Sequence, residues 1–250
     1  MKAIILAAGM GKRLRASGWD QPKCLLPFGE FTLLDHVLGS LIAAGVRDVV
    51  VVVGYQSQQV RDAVAAHDVT AAFVENPDYA TTNTINSLHR AAAYLDSDFL
   101  YFNADVLFDS RILPMLLATE GTALAVDEKH CGDEEVKVVV DDAGRVTRIG
   151  KALPGADCRG EFIGVAKFAA DVCPDFRTAL ADFNETRGER DLFFEAAVDV
   201  LLADHVHRSV PLGDLQAIEI DSPEDLSAAQ ALWESGAILS AVATGACDDA

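Results

Sequence analysis

Residues Gly9-Met10-Gly11-Lys12-Arg13, with Pro22-Lys23 a dozen positions on, bring together what a bound polyphosphate requires. Small residues let the backbone turn tightly and approach a ligand, while N–H groups and nearby cations neutralise phosphate charge. Leu6, Ala7, Ala8, Gly9, Gly11, Lys12 and Arg13 are therefore the candidate cradle, with Lys23 a further cation facing it. Two acids stand out downstream. Asp105 follows the apolar run Phe99 to Asn103, and Asp221 follows the run Gln216 to Ile220. An acid just beyond a buried strand sits where ligands of open α/β sheets bind. Ser222, Pro223 and the acids after them are explained as a helix start, but Asp221, one position earlier, is not.

The glycine loop is neither of the two familiar nucleotide motifs. Position 14, where a dinucleotide fingerprint needs its third glycine, is Leu14, and Gly11-Lys12 is followed by Arg13 rather than Ser or Thr. The order LAAGxGxRL followed by PKxLLP instead resembles the nucleotidyltransferase family, whose members activate sugar phosphates and alcohol phosphates with a nucleoside triphosphate. The run NPxYxxTNTINSL from Asn76 to Leu88, and EIDxPEDL from Glu219 to Leu226, are similar to the phosphocholine cytidylyltransferase branch of that family.

The elements that must position these residues follow from periodicity. Ala3 to Leu6 and Asp48 to Val53 read as buried strands, and Thr70 to Val74 as a third. Leu33 to Ala44, ending at Gly45, and Gln56 to Ala66 read as helices between them. A helix is predicted from Thr84 through Leu95, with Thr82 or Asn83 as its cap, and a strand over Phe99 to Asn103. This alternation predicts a doubly wound α/β fold, a mixed and mostly parallel sheet of Rossmann-like type with helices on both faces. Beyond Gly121 strands are predicted over Ala123 to Asp127, Glu135 to Val140, Arg145 to Ile149 and Phe162 to Phe168, with Asp141 to Gly144 as a hairpin turn. Helices over Ala169 to Phe183 and Asp191 to Ala203, then strands over Val206 to Val210 and Gln216 to Ile220, complete the reading. The chain reads as one domain over 1–235, a nucleotide half to about residue 120 and an acceptor half after it, with 236–250 as a frayed tail.

The resemblance implies roles for particular residues. Asp105 and Asp221 become ligands of Mg2+, an ion that takes oxygen donors and is shared between carboxylates and substrate phosphates. Asn83 and Ser87 become readers of the cytosine edge, and CTP the nucleotide. Lys23 is expected on the α-phosphate and Lys12 and Arg13 on the β- and γ-phosphates. The acceptor implied is a small phosphorylated amino alcohol or phosphonate, of the phosphocholine or 2-aminoethylphosphonate kind. Lys137 and Lys151 are the candidates for its phosphate, and Glu161 for its ammonium group. A sugar-1-phosphate or inositol-phosphate nucleotidyltransferase, and a nucleotide-binding protein without catalysis, are the competing readings.

Composition narrows the field further. With 39 acids against 20 bases the net charge is −19, a field that repels nucleic acid and anionic membrane surfaces. Against that background the first 23 residues hold five bases and one acid, a cationic island suited to a small anion. The five cysteines are odd in number and lack zinc spacing, which fits a reducing compartment. The apolar start is broken by Gly9 and Gly11, unlike a signal peptide, and a cytoplasmic location is expected. His205 and His207 share a strand face without a third ligand, so structural roles are expected for them. Trp19, between the two basic clusters, reads either as a lid or as a loop anchor. No oligomeric state is specified.

Overall fold

The computed structural model describes residues 1–244. In chain order the elements are β1 (Lys2–Ala7), α1 (Lys12–Ala16), β2 (Pro27–Phe28), β3 (Phe31–Thr32), α2 (Leu33–Ala43), β4 (Asp48–Val53), α3 (Ser57–Ala65), β5 (Thr70–Glu75), α4 (Thr84–Arg90), β6 (Phe99–Asn103) and β7 (Val106–Phe108). They continue as α5 (Ile112–Ala118), β8 (Thr122–Asp127), β9 (Lys137–Val140), β10 (Val146–Gly150), β11 (Gly160–Phe168), α6 (Cys173–Ala181), α7 (Glu195–Leu201), β12 (His207–Pro211), β13 (Ala217–Glu219), α8 (Pro223–Glu234) and α9 (Ala241–Thr244).

Oily runs with no polar face must be covered on both sides, and they are. β6, β1, β4 and β5 lie side by side and parallel, with Ala3 opposite Val49 and Leu6 opposite Asn103. Alternation then divides the core. Ile4, Val50, Val52 and Tyr101 face α4, α6 and α7, whereas Ile5, Val51, Val53 and Phe102 face α2, α3 and α5. β11 runs antiparallel against β6 and carries the sheet on to β9 and β10, while β8 and β12 pair alongside it. The mixed sheet is the one expected. Among the described residues no helix is long and apolar enough to cross a membrane.

Several boundaries differ from those read off the sequence. The helix expected through Leu95 ends at Arg90 and closes with a short 3-10 turn, Ala92–Tyr94. The helix expected to begin at Asp191 starts at Glu195. The segment expected as a frayed tail packs instead: Ile238 and Ser240 are buried, and the backbone N–H of Leu239 donates to Asp109. A Cβ on Gly39 of α2 would overlap Val242, so glycine is what lets this segment lie so close. The rest of the expected tail, 245–250, lies outside the described residues.

A small two-stranded ribbon positions the site. β13 pairs antiparallel with β7, Glu219 opposite Val106, and Ile220 N–H donates to Asp105 O at 3.0 Å. Asp221 is thereby carried to Asp105. The clasp is held by a third apolar cluster that includes Leu14, Leu26, Leu107, Ile220 and Ile238, with Trp19 packed against it. Trp19 is therefore a loop anchor.

Candidate active site

The cleft opens at the carboxyl ends of the parallel strands. Its floor is the turn between β1 and α1, where Gly11 adopts φ +56°, a conformation that glycine enters without strain. A Cβ at Gly11 would meet the stem of Lys23 at 3.6 Å, an ordinary contact, so glycine is required here by its backbone conformation rather than by space. Leu6, Ala8, Gly9, Gly11, Lys12, Arg13, Lys23, Asn83, Ser87, Asp105, Lys151 and Asp221 all line this one cleft. Ala7 points the other way, into the core, beneath Lys23.

Lys23 Nζ donates to Asp105 Oδ2 at 2.6 Å and to Asp221 Oδ1 at 2.5 Å. Burial alone would lower its pKa, but Asp105, Asp221 and Glu219 outweigh that and raise it above the ordinary lysine value. The lysine stays charged at any physiological pH. Burial likewise works against the Asp221 carboxylate, yet Lys23 and then Arg13 hold it below the usual carboxylate range. Arg13 approaches Asp221 Oδ2 at 3.4 Å and Glu134 at 3.8 Å. Lys12 Nζ donates to Ala80 O at 3.3 Å.

A third acid joins this pair. Oxygen atoms of Asp105, Glu219 and Asp221 lie within 4.8 Å of one another. Glu219 is exposed at the rim, but its carboxyl faces the cleft, where lost hydration and the two aspartates push its pKa up to about 8. Three hard oxygen donors at this spacing suit a small divalent cation. Glu219 was not singled out from the sequence, though a signal existed: it stands two residues before Asp221 on an extended segment, hence on the same side.

Asn83 caps α4, its Oδ1 accepting from Thr84 N–H at 2.8 Å, so part of its polarity is spent on the helix start. Ser87 is buried and accepts from Asn76 Nδ2 at 3.1 Å. Asn76, at the end of β5, lines the cleft beside them and was not singled out from the sequence.

Two expected acceptor ligands are not in the cleft. Lys137 is buried, its Nζ donating to the Lys151 carbonyl at 2.7 Å, and Glu161 pairs with Lys129 at 2.6 Å. Lys137 and Glu161 are opposite each other on β9 and β11, and their neighbours Val136 and Phe162 are the ones that line the cleft. Side chains alternate along a strand, so the two charged residues point to the opposite face. That end of the cleft is lined instead by Lys151, Phe162, Phe193 and Glu195. Lys151 Nζ lies 4.3 Å from the Phe193 ring centre. Glu195 is 3% exposed, its Oε2 has no hydrogen-bond partner, and burial pushes its pKa up to about 7. No periodicity distinguishes Glu195 from an ordinary first-turn helix acid.

His205 and His207 form no pair: His205 Nε2 meets Asp175 at 2.8 Å, and His207 is buried with Nδ1 on the His205 carbonyl.

The profile of the MobA-like NTP transferase domain matches residues 3–200, and the chain belongs to that family of nucleotidyltransferases. It is 28% identical to 2-aminoethylphosphonate cytidylyltransferase of Lancefieldella rimae over 228 residues, covering 90% of each chain. It is 29% identical to CMP-5'-(3-aminopropyl)phosphonate synthase of Streptomyces rubellomurinus over 90% of this chain but only 37% of that protein, so it spans little more than a third of that relative. In fold it is similar to CTP:phosphocholine cytidylyltransferase of Streptococcus pneumoniae, with a TM-score of 0.76 at 22% identity over 92% of this chain and 98% of the other.

Proposed function

We propose that the chain is a magnesium-dependent cytidylyltransferase that transfers CMP from CTP to a small phosphorylated or phosphonylated amine and releases pyrophosphate. The observation that carries this reading is that Lys23, Asp105, Glu219 and Asp221 line one cleft together with the Gly9–Gly11 turn. The names of the relatives support both the base and the acceptor class.

In this reading the triphosphate lies on the Gly9–Gly11 turn, with Lys12 and Arg13 beside its outer phosphates. Asn76, Asn83 and Ser87 offer amide and hydroxyl groups to the base edge. Asp105, Asp221 and the rim acid Glu219 would hold Mg2+, which when bound supplies charge neutralisation on the triphosphate. The nucleophile is an acceptor phosphate oxygen, already largely dianionic near neutrality because its second pKa is about 6. No protein base is required. Lys23 meets the negative charge that grows on the α-phosphate, and catalysis comes from positioning and preorganised charge.

The test is pyrophosphate release measured with magnesium, each of the four NTPs, and a panel of aminophosphonate, phosphocholine and sugar-1-phosphate acceptors. CTP with an aminophosphonate is the expected best pair; preference for a purine nucleotide or for a hexose phosphate overturns the reading. Lys23→Ala and Asp105→Ala are each expected to lose about 100- to 1000-fold in turnover while remaining folded by circular dichroism.

A further inference from the structure

We propose that Glu195 is the binding partner of a protonated primary amine on the acceptor, and that the cleft thereby selects acceptors bearing N–H groups over quaternary ammonium compounds. The inference rests on reading the cleft as the site of nucleotidyl transfer, and it deepens that reading by naming the acceptor.

The argument begins with an unmet requirement. A carboxylate oxygen buried without a donor forfeits its hydration with nothing in return, so such a group in a cleft wall points to a donor supplied from outside. Glu195 sits at the first turn of α7 with its Oε2 in that state. The polar groups around it are otherwise engaged. Among the described residues no Lys or Arg nitrogen is paired with it, and the Tyr101 hydroxyl donates to Asn103 Oδ1 at 2.6 Å. Lys151 is near enough to favour the charged form of Glu195, yet its ammonium lies over the Phe193 face.

The same geometry disfavours a quaternary head group. A trimethylammonium is recognised chiefly by open aromatic faces. The Phe193 face already carries Lys151, and of the other rings lining the cleft Phe162 makes an edge contact with Phe194 at 6.0 Å and Tyr79 is tilted against Tyr55 at 6.1 Å. A quaternary nitrogen has no N–H, so it would cover Glu195 Oε2 without satisfying it. A primary ammonium satisfies it with a charge-assisted hydrogen bond. Sites built to hydrogen-bond a substrate group reject analogues lacking it more strongly than apolar pockets reject a missing methylene. Lys151, beside the same cleft, is left for the acceptor's phosphonate.

The experiment compares kcat and KM, with CTP and magnesium, for 2-aminoethylphosphonate, phosphocholine and ethylphosphonate, in the unaltered chain and in Glu195→Gln. In the unaltered chain kcat/KM for 2-aminoethylphosphonate is expected to exceed that for ethylphosphonate by about 100-fold, the worth of one charged hydrogen bond. Glu195→Gln is expected to bring that ratio towards one, chiefly through a higher KM for the amine, and Glu195→Asp to restore part of it. An unchanged ratio in Glu195→Gln overturns the proposal, as does phosphocholine used as well as the primary amine. CTP binding by each variant, measured by calorimetry, guards against a folding defect. If none of the three acceptors releases pyrophosphate with any nucleotide, the transfer reading itself fails, a result distinct from equal use of all three.

Discussion

A carboxyl group buried without a paired counter-charge binds its proton more tightly in the folded chain than in the unfolded one. For Glu195 the ordinary value of 4.5 rises to about 7, so folding takes up a proton between those two pH values. The sign follows from linkage: the contribution of Glu195 to stability is fullest below pH 4.5, falls as pH rises through the window, and levels off above 7. A shift of this size corresponds to roughly 3 kcal/mol, an order-of-magnitude figure. Glu195→Gln is therefore expected to flatten this part of the pH dependence and to be more stable than the unaltered chain at pH 8 by about 1–3 kcal/mol. Urea midpoints measured from pH 4 to pH 8 in both proteins check it; parallel curves would count against it. The cost is of the kind expected at a binding site, where a group is held ready at the expense of the fold. Lys23 is the opposite case, half-buried but matched by Asp105 and Asp221.

The helix start at Ser222 governs where Asp221 points. Asp225 Oδ2 accepts from Asp221 N–H at 3.0 Å, from Ser222 N–H at 2.8 Å and from Ser222 Oγ at 2.8 Å. Ser222 Oγ in turn accepts from Asp225 N–H, so the two close a capping box over the first turn of α8. Losing a cap of this kind costs about 1 kcal/mol. Asp225→Ala is expected to lower the unfolding free energy by that amount, read as a lower denaturation midpoint. It is also expected to reduce turnover by about 10-fold or more, because misplacing a site group by an ångström is costly in rate. Stability and steady-state kinetics on one preparation test both parts; a stability loss with normal kcat would show that the clamp does not position Asp221. The capping residues are legible in the sequence, since Ser, Pro and Asp stand at the spacing a helix start needs. The pairing of β13 with β7 is not, because both strands are only three residues long and carry no periodic signal.

At the scale of the molecule the C-terminal segment acts as a strap. Ile238 fills the cluster under the basic loop, Ser240 Oγ meets His36 Nδ1 at 2.8 Å, and Leu239 N–H donates to the fully buried Asp109. His36 is also bonded to the Phe108 carbonyl, and burial lowers its pKa to about 4. A chain ending at Gly236 gives up the burial of Ile238, worth about 1.5–3 kcal/mol, and leaves polar partners unmet at about 1 kcal/mol or more each. It is expected to lose about 3–5 kcal/mol in all, read as a lower Tm and urea midpoint. A truncated chain as stable as the full one would show that the strap adds nothing.

What the amino-acid order determined by itself is what local physics can decide. Unbroken oily runs had to become two-sided strands. A left-handed turn needed Gly11, and the acids following strands had to stand at the sheet's ligand edge. Asp105 and the basic loop were legible for that reason, whereas Asp221 reaches Asp105 through the pairing of β13 with β7. Only the tertiary structure decided what depends on register and on partners from remote elements. One residue of parity along β9 and β11 turned Lys137 and Glu161 away from the cleft and turned Val136 and Phe162 towards it. Glu195 differs from an ordinary helix-start acid only in what the rest of the chain packs around it. Burial of a polar group is a property of the assembled molecule, and no spacing within a single segment encodes it.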